Sequence, residues 1–176
     1  MEYREIIKDK LWSIVYDGES ETALENAIKN MIDAQWRLQL LKENEKCLSY
    51  YRLSIESASN QAFQEILEIV DLLYNHTDDI DDFFHPLKNT EVDDGNKVLM
   101  KNKGFVVWDN NKKGIVRIYA IKLEPSYYVI TGGTIKLTKD MQDLPHTNKE
   151  FENLELSRNY LQKIGVFDKA SLIDKE

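Results

Sequence analysis

The sequence is poor in cysteine, proline and glycine, with one, three and seven of these residues among 176. The single thiol, Cys47, excludes an intrachain disulfide and any zinc site built from several cysteines. No apolar run approaches membrane-spanning length, and the acidic, polar first residues do not resemble a signal peptide. We therefore expect a cytoplasmic protein that uses no cofactor, no metal ion and no membrane.

The sequence also lacks the short motifs of several enzyme classes. It contains no glycine-rich phosphate loop, no G-x-S-x-G turn and no H-E-x-x-H motif. Gly132 and Gly133 stand between strand-like residues with no helix start behind them, so they are not a nucleotide-binding fingerprint. These absences exclude the corresponding nucleotide-binding, hydrolase and metalloprotease classes.

The run of residues 76–86 combines aspartates with two histidines, a composition that also occurs in metal sites. It lacks the glycine and the ordered ligand spacing of a calcium loop. Helix capping is the commoner use of such aspartates. We therefore interpret Asp78 or Asp79 as the N-cap of a short helix that directs Phe83 and Phe84 inward.

Charge is distributed unevenly along the chain. The total is −8, with −12 in residues 1–95 and +4 in residues 96–176. In one interpretation the acidic half is an ordinary solvated surface. In the second, the basic sheet half meets an anionic partner while the acidic helical half faces something else. In the second interpretation, the contact includes four lysines of the basic half: Lys101, Lys103, Lys112 and Lys113.

Residues 114–139 hold the densest β-branched and aromatic runs in the chain. Val, Ile and Tyr favour a pleated, half-buried surface. The Glu-Pro-Ser sequence at residues 124–126 interrupts the runs once and suits a turn. Two such runs with a short break predict a β-hairpin, and we place it at the centre of the sheet.

The residues before this hairpin predict one strand followed by helices. Residues 11–16 are a short apolar, β-leaning run that ends at a turn pair. A helix then begins at Ser20 or at Thr22, and Thr22 with Glu25 has the form of a capping box. We expect this helix to break near residues 33–35.

A second helix is predicted over residues 58–75 from apolar positions at helical spacing. Its buried stripe contains Ala62, Phe63, Ile66, Leu67, Val70 and Leu73. Three acidic side chains, Glu65, Glu68 and Asp71, are expected to face water.

The remaining chain predicts further strands and a final helix. Residues 93–96 form a turn signal, and strands are expected at residues 98–100 and 104–108. The spacing of Thr147 and Glu150 matches a capping box, and Gly165 is typical of a helix end. We predict a single domain over residues 1–176 of the α+β class, with a mainly antiparallel sheet of four to five strands and helices packed on one side.

The hairpin region resembles the RelE/ParE toxin superfamily, and within it the phage-type, HigB-like branch. The resemblance covers residues 104–164 and rests on four short motifs: Val116-Arg117-Ile118-Tyr119, Tyr128-Val129-Ile130, Lys136-Leu137-Thr138-Lys139, and Thr147 with Glu150. The chain departs from the family in its Arg-x-Tyr spacing and in a longer, more acidic helical first half.

This resemblance implies a cytoplasmic toxin of a type II toxin–antitoxin system, held inactive by an antitoxin protein. Many such proteins bind and cleave mRNA on the ribosome without a metal, whereas others with the same fold act on gyrase. Carried over by position, the candidate catalytic residues are Arg117, Tyr119, Lys136, Lys139 and His146. The alternative function is a non-catalytic interaction module with the same fold.

The residue types fit RNA cleavage by internal attack, which needs a base, a cation beside the developing phosphorane charge and an acid. Alternating polar residues on a half-exposed sheet face are the ordinary explanation for the same pattern. If Leu123 pairs with Tyr127, Arg117 lies opposite Gly133 and on the other face from Lys136. A bulge at Gly132 and Gly133 reverses this parity and brings Arg117 and Lys136 together.

Overall fold

The computed structural model describes residues 1–87, 99–108 and 111–175, and these residues form one six-stranded sheet. The strands are β1 (Glu2–Ile7), β2 (Leu11–Val15), β3 (Phe84–Pro86), β4 (Met100–Gly104), β5 (Val116–Leu123) and β6 (Tyr127–Ile135). Their order across the sheet is β1-β2-β6-β5-β4-β3. The predicted hairpin is therefore confirmed as the two central strands, β5 and β6.

Seven α-helices accompany the sheet in the part of the chain that the structure describes. They are α1 (Ala23–Ile32), α2 (Ala34–Glu43), α3 (Glu45–Tyr51), α4 (Ile55–Asn75), α5 (Ile80–Phe83), α6 (Pro145–Lys163) and α7 (Lys169–Ile173). None of these described helices is both long and apolar enough to cross a membrane.

The sheet is mixed, which corrects the predicted antiparallel sheet of four to five strands. Strand β2 pairs in parallel with β6, from Leu11 opposite Tyr128 to Ser13 opposite Ile130. The other neighbouring strands are antiparallel. A parallel pair needs a long crossover, and the chain between β2 and β6 supplies one that contains α1 to α5. The general α+β class is confirmed.

Helices pack on both faces of the sheet, so the prediction of helices on one side is wrong. One hydrophobic cluster joins Leu24 of α1 and Ile66 of α4 to Ile118 of β5. The other joins Leu154 of α6 to Tyr119, the next residue along β5. Alternate residues of a strand point to opposite faces, and β5 is buried almost throughout because both faces are covered.

The sequence predicts two strands at residues 98–100 and 104–108, but the described residues in this region form one, β4, from Met100 to Gly104. Residues 105–108 are therefore not a strand, and Val107 makes only an isolated bridge to Lys113. Residue 98 and the turn predicted at residues 93–96 lie outside the described residues. Gly104 ends β4 where a Cβ atom would come within 2.0 Å of the Phe83 ring, so only glycine fits there.

Several helix boundaries follow local sequence signals. Thr22 caps α1 in a complete capping box with Glu25, which decides between the two predicted starts. Asp33 ends α1 and caps α2, in the stretch where a break is expected. Helix α6 ends before Gly165, whose φ of +77° is the left-handed conformation that glycine adopts readily.

The acidic run after α4 is only partly as predicted. Asp79 is the N-cap residue of α5, but its side chain makes no cap hydrogen bond, and Asp78 forms an ion pair with Lys10 at 2.9 Å. Asp81 accepts a hydrogen bond of 2.6 Å from the Tyr128 hydroxyl. Phe83 and Phe84 are buried, as expected. These aspartates therefore connect the run to the sheet through side-chain contacts.

Glu65 of α4 is fully buried, contrary to the prediction that it faces water. Its carboxylate accepts hydrogen bonds from the backbone N–H groups of Ile115 at 2.8 Å and Val116 at 2.7 Å. The side chains of Gln61 and Trp108 donate to it as well. Glu65 therefore fastens α4 to the start of β5.

Candidate functional site

A bulge in β6 brings two predicted catalytic residues onto the same face of the sheet. Leu123 lies opposite Tyr127 as expected, but the register shifts between Tyr119, opposite Gly132, and Ala120, opposite Ile130. Thr131 is the extra residue. Arg117 consequently pairs with Thr134 and shares a sheet face with Lys136.

Arg117 is largely buried, with only 8% of its surface exposed. Its Nη1 donates to the carbonyl oxygens of Gly114 and Val116, the latter at 2.8 Å. The guanidinium lies 4.6 Å from the centre of the Phe105 ring. Within the described residues it forms no ion pair with a carboxylate, and burial lowers the pKa of Arg117.

Lys136 is equally buried and donates from Nζ to the carbonyl oxygens of Thr138 and Lys139. Burial lowers the pKa of Lys136 to about 8, with further lowering from the positive charges of Arg117 and Lys103. These cations lie near one another on the sheet face that the resemblance assigns to catalysis. Arg117 Nη1 and Lys136 Nζ, however, donate to backbone carbonyl groups of the chain itself.

The other three predicted catalytic residues differ in their surroundings. Tyr119 follows Arg117 on the same face of β5 and interacts with its charge, but it is fully buried beneath α6. Lys139 accepts a hydrogen bond from Lys136 through its backbone carbonyl, and its side chain is exposed. His146 lies in the first turn of α6, where Nε2 is 2.9 Å from the Ile135 carbonyl oxygen. Because a carbonyl only accepts, this nitrogen carries the proton. Burial lowers the pKa of His146.

Lys101, one of the lysines expected to contact a partner, is also buried. Its ammonium pairs with Glu155 of α6 and lies 5.4 Å from the centre of the Phe151 ring. It therefore belongs to the packing between sheet and helix. Lys112 and Lys113 are exposed, as a contact surface requires.

A cleft of about 400 Å³ opens where the parallel strands β2 and β6 separate. Their pairing ends at Ser13 and Ile130, and both strands continue beyond it. From β2 the chain passes to α1 on one face, and from β6 it passes to α6 on the other. Ligands of open α/β sheets bind at this kind of crevice, outside the carboxyl ends of parallel strands whose connections diverge.

The lining of this cleft, which we call the switch-point cleft, is mainly polar. It consists of Tyr16, Glu19, Ala23, Asn26, Ala27, Asn30, Thr131, Gly132, Gly133, Lys149, Glu150 and Asn153. The bulge contributes backbone atoms, and α1 and α6 contribute amide side chains from opposite faces of the sheet. Its volume falls in the range of small-molecule sites.

Glu150 provides the most unusual group in the cleft. Its Oε2 is buried without a hydrogen-bond partner among the described residues. Burial raises the pKa of Glu150 to about 8, although the nearby Lys149 ammonium opposes the shift. The carboxyl is therefore mostly protonated in neutral solution, and it loses its proton as the pH rises through about 8.

The capping role predicted for Glu150 is wrong. Helix α6 begins two residues before Thr147, with Leu144 as the cap residue and Pro145 in its first turn. Proline suits this position because it donates no hydrogen bond. Glu150 is therefore well inside the helix and is turned towards Gly132, where a Cβ atom would lie 1.9 Å from Oε2. Only a glycine at that position leaves room for the carboxyl.

Two tyrosine hydroxyls lie near the Glu150 carboxyl. Tyr16 donates to the Thr131 carbonyl oxygen at 2.7 Å and contacts Ser157 Oγ at 3.1 Å. The Tyr119 hydroxyl has no partner among the described residues. Burial raises the pKa of both tyrosines, and the Glu150 charge adds to each increase. Both phenols are therefore protonated at neutral pH.

The sequence predicts a bulge at Gly132 and Gly133 and a cap at Glu150, but no contact between them. The pair of glycines does carry one signal in the sequence, because glycine in a strand indicates the close approach of another group. The approaching group comes from a helix that begins ten residues after β6 ends. Only the three-dimensional packing identifies it as a carboxyl.

Comparisons with protein-family models, with curated proteins and with solved structures find no match to this chain. Two features bear on its function: the switch-point cleft and the sheet face that carries Arg117 and Lys136, with Lys103 close by.

Proposed function

We propose that the chain binds a small polar organic molecule in the switch-point cleft and exchanges a proton with it through Glu150. The observation that carries this proposal is the buried Oε2 of Glu150, which has no partner among the described residues and lines a cleft of ligand size. A buried polar atom without a partner costs free energy. A ligand that supplies the missing partner recovers that cost.

The protonation state of Glu150 suits acid–base chemistry. A general acid or base is most effective when its pKa lies near the working pH, and the Glu150 pKa of about 8 meets that condition. Strongly perturbed titratable groups in clefts are typical of functional sites. In this role Glu150 transfers the proton, while Asn26, Asn30 and Asn153 orient the molecule through hydrogen bonds.

Thermal melting in the presence of a panel of small metabolites tests this proposal. We expect at least one compound class to raise the melting temperature of the wild-type chain at pH 7.5. The Glu150→Gln variant should lose most of that increase. Glu152→Gln, an exposed change on the same helix, should retain it. A panel in which every compound shifts both variants equally would contradict the proposal.

A second candidate function is the toxin-like ribonuclease implied by the RelE/ParE resemblance. The observation in its favour is the shared sheet face of Arg117 and Lys136, with Lys103 close by. Three cations could stabilise a phosphorane, but cleavage requires the RNA to displace the backbone acceptors of both buried side chains. In this role the chain acts in the cytoplasm on mRNA or the ribosome and is neutralised by an antitoxin. A non-catalytic module that binds a protein partner is the alternative.

Expression in a bacterial host distinguishes the ribonuclease toxin from the non-catalytic interaction module. If the chain is a ribonuclease toxin, the wild type arrests growth and degrades RNA, whereas Arg117→Ala combined with Lys136→Ala does neither. Because both residues are buried, the variant must also give the wild-type circular dichroism spectrum. The exposed change Lys42→Ala should remain toxic. A harmless wild type that leaves RNA intact would favour the interaction module.

A further inference from the structure

We infer that the molecule bound in the switch-point cleft carries an organic cation, an alkylammonium or guanidinium group, that pairs with the Glu150 carboxylate. This inference rests on the proposed function and specifies its ligand. It follows from the balance of hydrogen-bond acceptors and donors around Oε2, from the charges that line the cleft, and from the size of the cleft.

Oε2 of Glu150 lacks a hydrogen-bond donor among the described residues. The Tyr16 hydroxyl nearby directs its proton to the Thr131 carbonyl and is also in contact with Ser157 Oγ, so it does not serve Glu150. An ionised carboxyl is an acceptor only. A ligand that brings N–H donors therefore supplies what Oε2 lacks.

The charges around the cleft also favour a cation. Among the lining residues, Lys149 is the one cation, and its side chain is exposed to solvent. Glu19 is an exposed carboxylate that offsets it. The Lys149 ammonium acts on Glu150 from the solvent side, but Oε2 at the buried end has no partner among the described residues. Burying an ionised carboxylate is costly unless a cation pairs with it, and a positively charged ligand supplies that pair.

An organic cation fits this site better than a metal ion. Within the described residues, no group of three or more His, Cys, Asp or Glu side chains lies together. A calcium or magnesium ion requires six or more oxygen ligands in a compact shell. The volume of about 400 Å³ instead suits a molecule of several heavy atoms that is held by one carboxylate and by neutral amides.

Pairing with a cation links ligand binding to the loss of a proton from Glu150. The other titratable groups that face this carboxyl are Tyr16 at the end of β2, Tyr119 on β5, Glu19 before α1 and Lys149 on α6. Tyr16 and Tyr119 stay protonated up to strongly alkaline pH because burial raises the pKa of each. Glu150 therefore dominates the change in protonation on binding between pH 6 and pH 8.

Methylguanidinium and its neutral analogue N-methylurea provide a matched pair of probes. Binding is followed through the amide NMR signals of Gly132 and Gly133 in the full chain, from pH 6 to pH 9. We expect methylguanidinium affinity to rise about tenfold per pH unit up to pH 8 and then level, because one proton is released on binding. We expect N-methylurea to bind more weakly and without this dependence.

The Glu150→Gln variant keeps the side-chain volume and removes the charge. In this variant we expect methylguanidinium to lose at least tenfold in affinity and all of its pH dependence, whereas Glu152→Gln behaves as the wild type. If N-methylurea binds as well as methylguanidinium at every pH, the inference that the ligand is a cation is contradicted, whereas the proposal that the cleft binds a small molecule is supported. If neither probe moves the Gly132 and Gly133 signals, both the cation and the proposed cleft function are contradicted.

Discussion

Replacing Glu65 with alanine is expected to lower the free energy of unfolding by about 4 kcal/mol. The change leaves four donors without their acceptor: the backbone N–H groups of Ile115 and Val116, the Trp108 indole and the half-buried Gln61 amide. Each unsatisfied buried donor costs roughly 1–3 kcal/mol. The free energy of unfolding of a native protein is about 5–15 kcal/mol, so this loss removes a large part of the total stability.

Chemical denaturation with tryptophan fluorescence measures this effect. Glu68→Ala, on the exposed side of the same helix, is the matched control and should change stability by less than about 0.5 kcal/mol. Glu65→Gln keeps one acceptor oxygen and should lose about 2 kcal/mol, between the two. Equal stability of Glu65→Ala and Glu68→Ala would show that the buried carboxylate does not hold α4 to β5.

The second large effect is a pH dependence of stability that disappears in Glu150→Gln. The Glu150 pKa is about 8 in the folded chain, against an ordinary value of 4.5. Between these values the folded state keeps a proton that the unfolded state loses, so stability falls as pH rises. The slope is at most about 1.4 kcal/mol per pH unit, and the contribution becomes constant above pH 8.

Gln resembles the protonated form of Glu150 in shape and in charge. The variant should therefore match the wild type near pH 5 and exceed its stability at pH 8.5 by a few kcal/mol. The difference between the two unfolding curves isolates Glu150, because other titrating groups such as His146 are present in both chains. Glu152→Gln should follow the wild type. A difference that stays constant from pH 5 to pH 9 would mean that Glu150 is not buried as described.

These two carboxyl groups lie in opposite situations. Glu65 has four hydrogen-bond donors and holds two elements together. Oε2 of Glu150 has none among the described residues, so its burial lowers stability at neutral pH. A destabilising buried group in a cleft is typical of a functional position. For this reason the proposed function rests on Glu150.

The structure agrees with the sequence only in part for the predicted catalytic residues, which are Arg117, Tyr119, Lys136, Lys139 and His146. The predicted bulge lies at Thr131, next to Gly132, and it brings Arg117 and Lys136 onto one face. The predicted open sheet face is absent at Tyr119, which lies beneath α6. Helices cover both faces of the sheet through contacts between distant parts of the chain. The alternation of residues within one strand does not reveal such contacts.

The sequence by itself determined the features that local chemistry controls. The hairpin of β5 and β6, the Thr22 capping box, the helix break at Asp33 and the helix end before Gly165 each depend on residues a few positions apart. Backbone preferences and capping bonds act over that distance, so the sequence alone reveals them.

Only the tertiary structure decided the parallel pairing of β2 with β6, the helices on both faces and the roles of Glu65 and Glu150. Glu65 meets donors fifty residues away, and Glu150 enters the space left by Gly132. A glutamate on a helix has the same local preference whether it is solvated, bonded or left unpaired. Its role therefore depends on which distant surface packs against it, because desolvation and hydrogen bonding are properties of the folded environment.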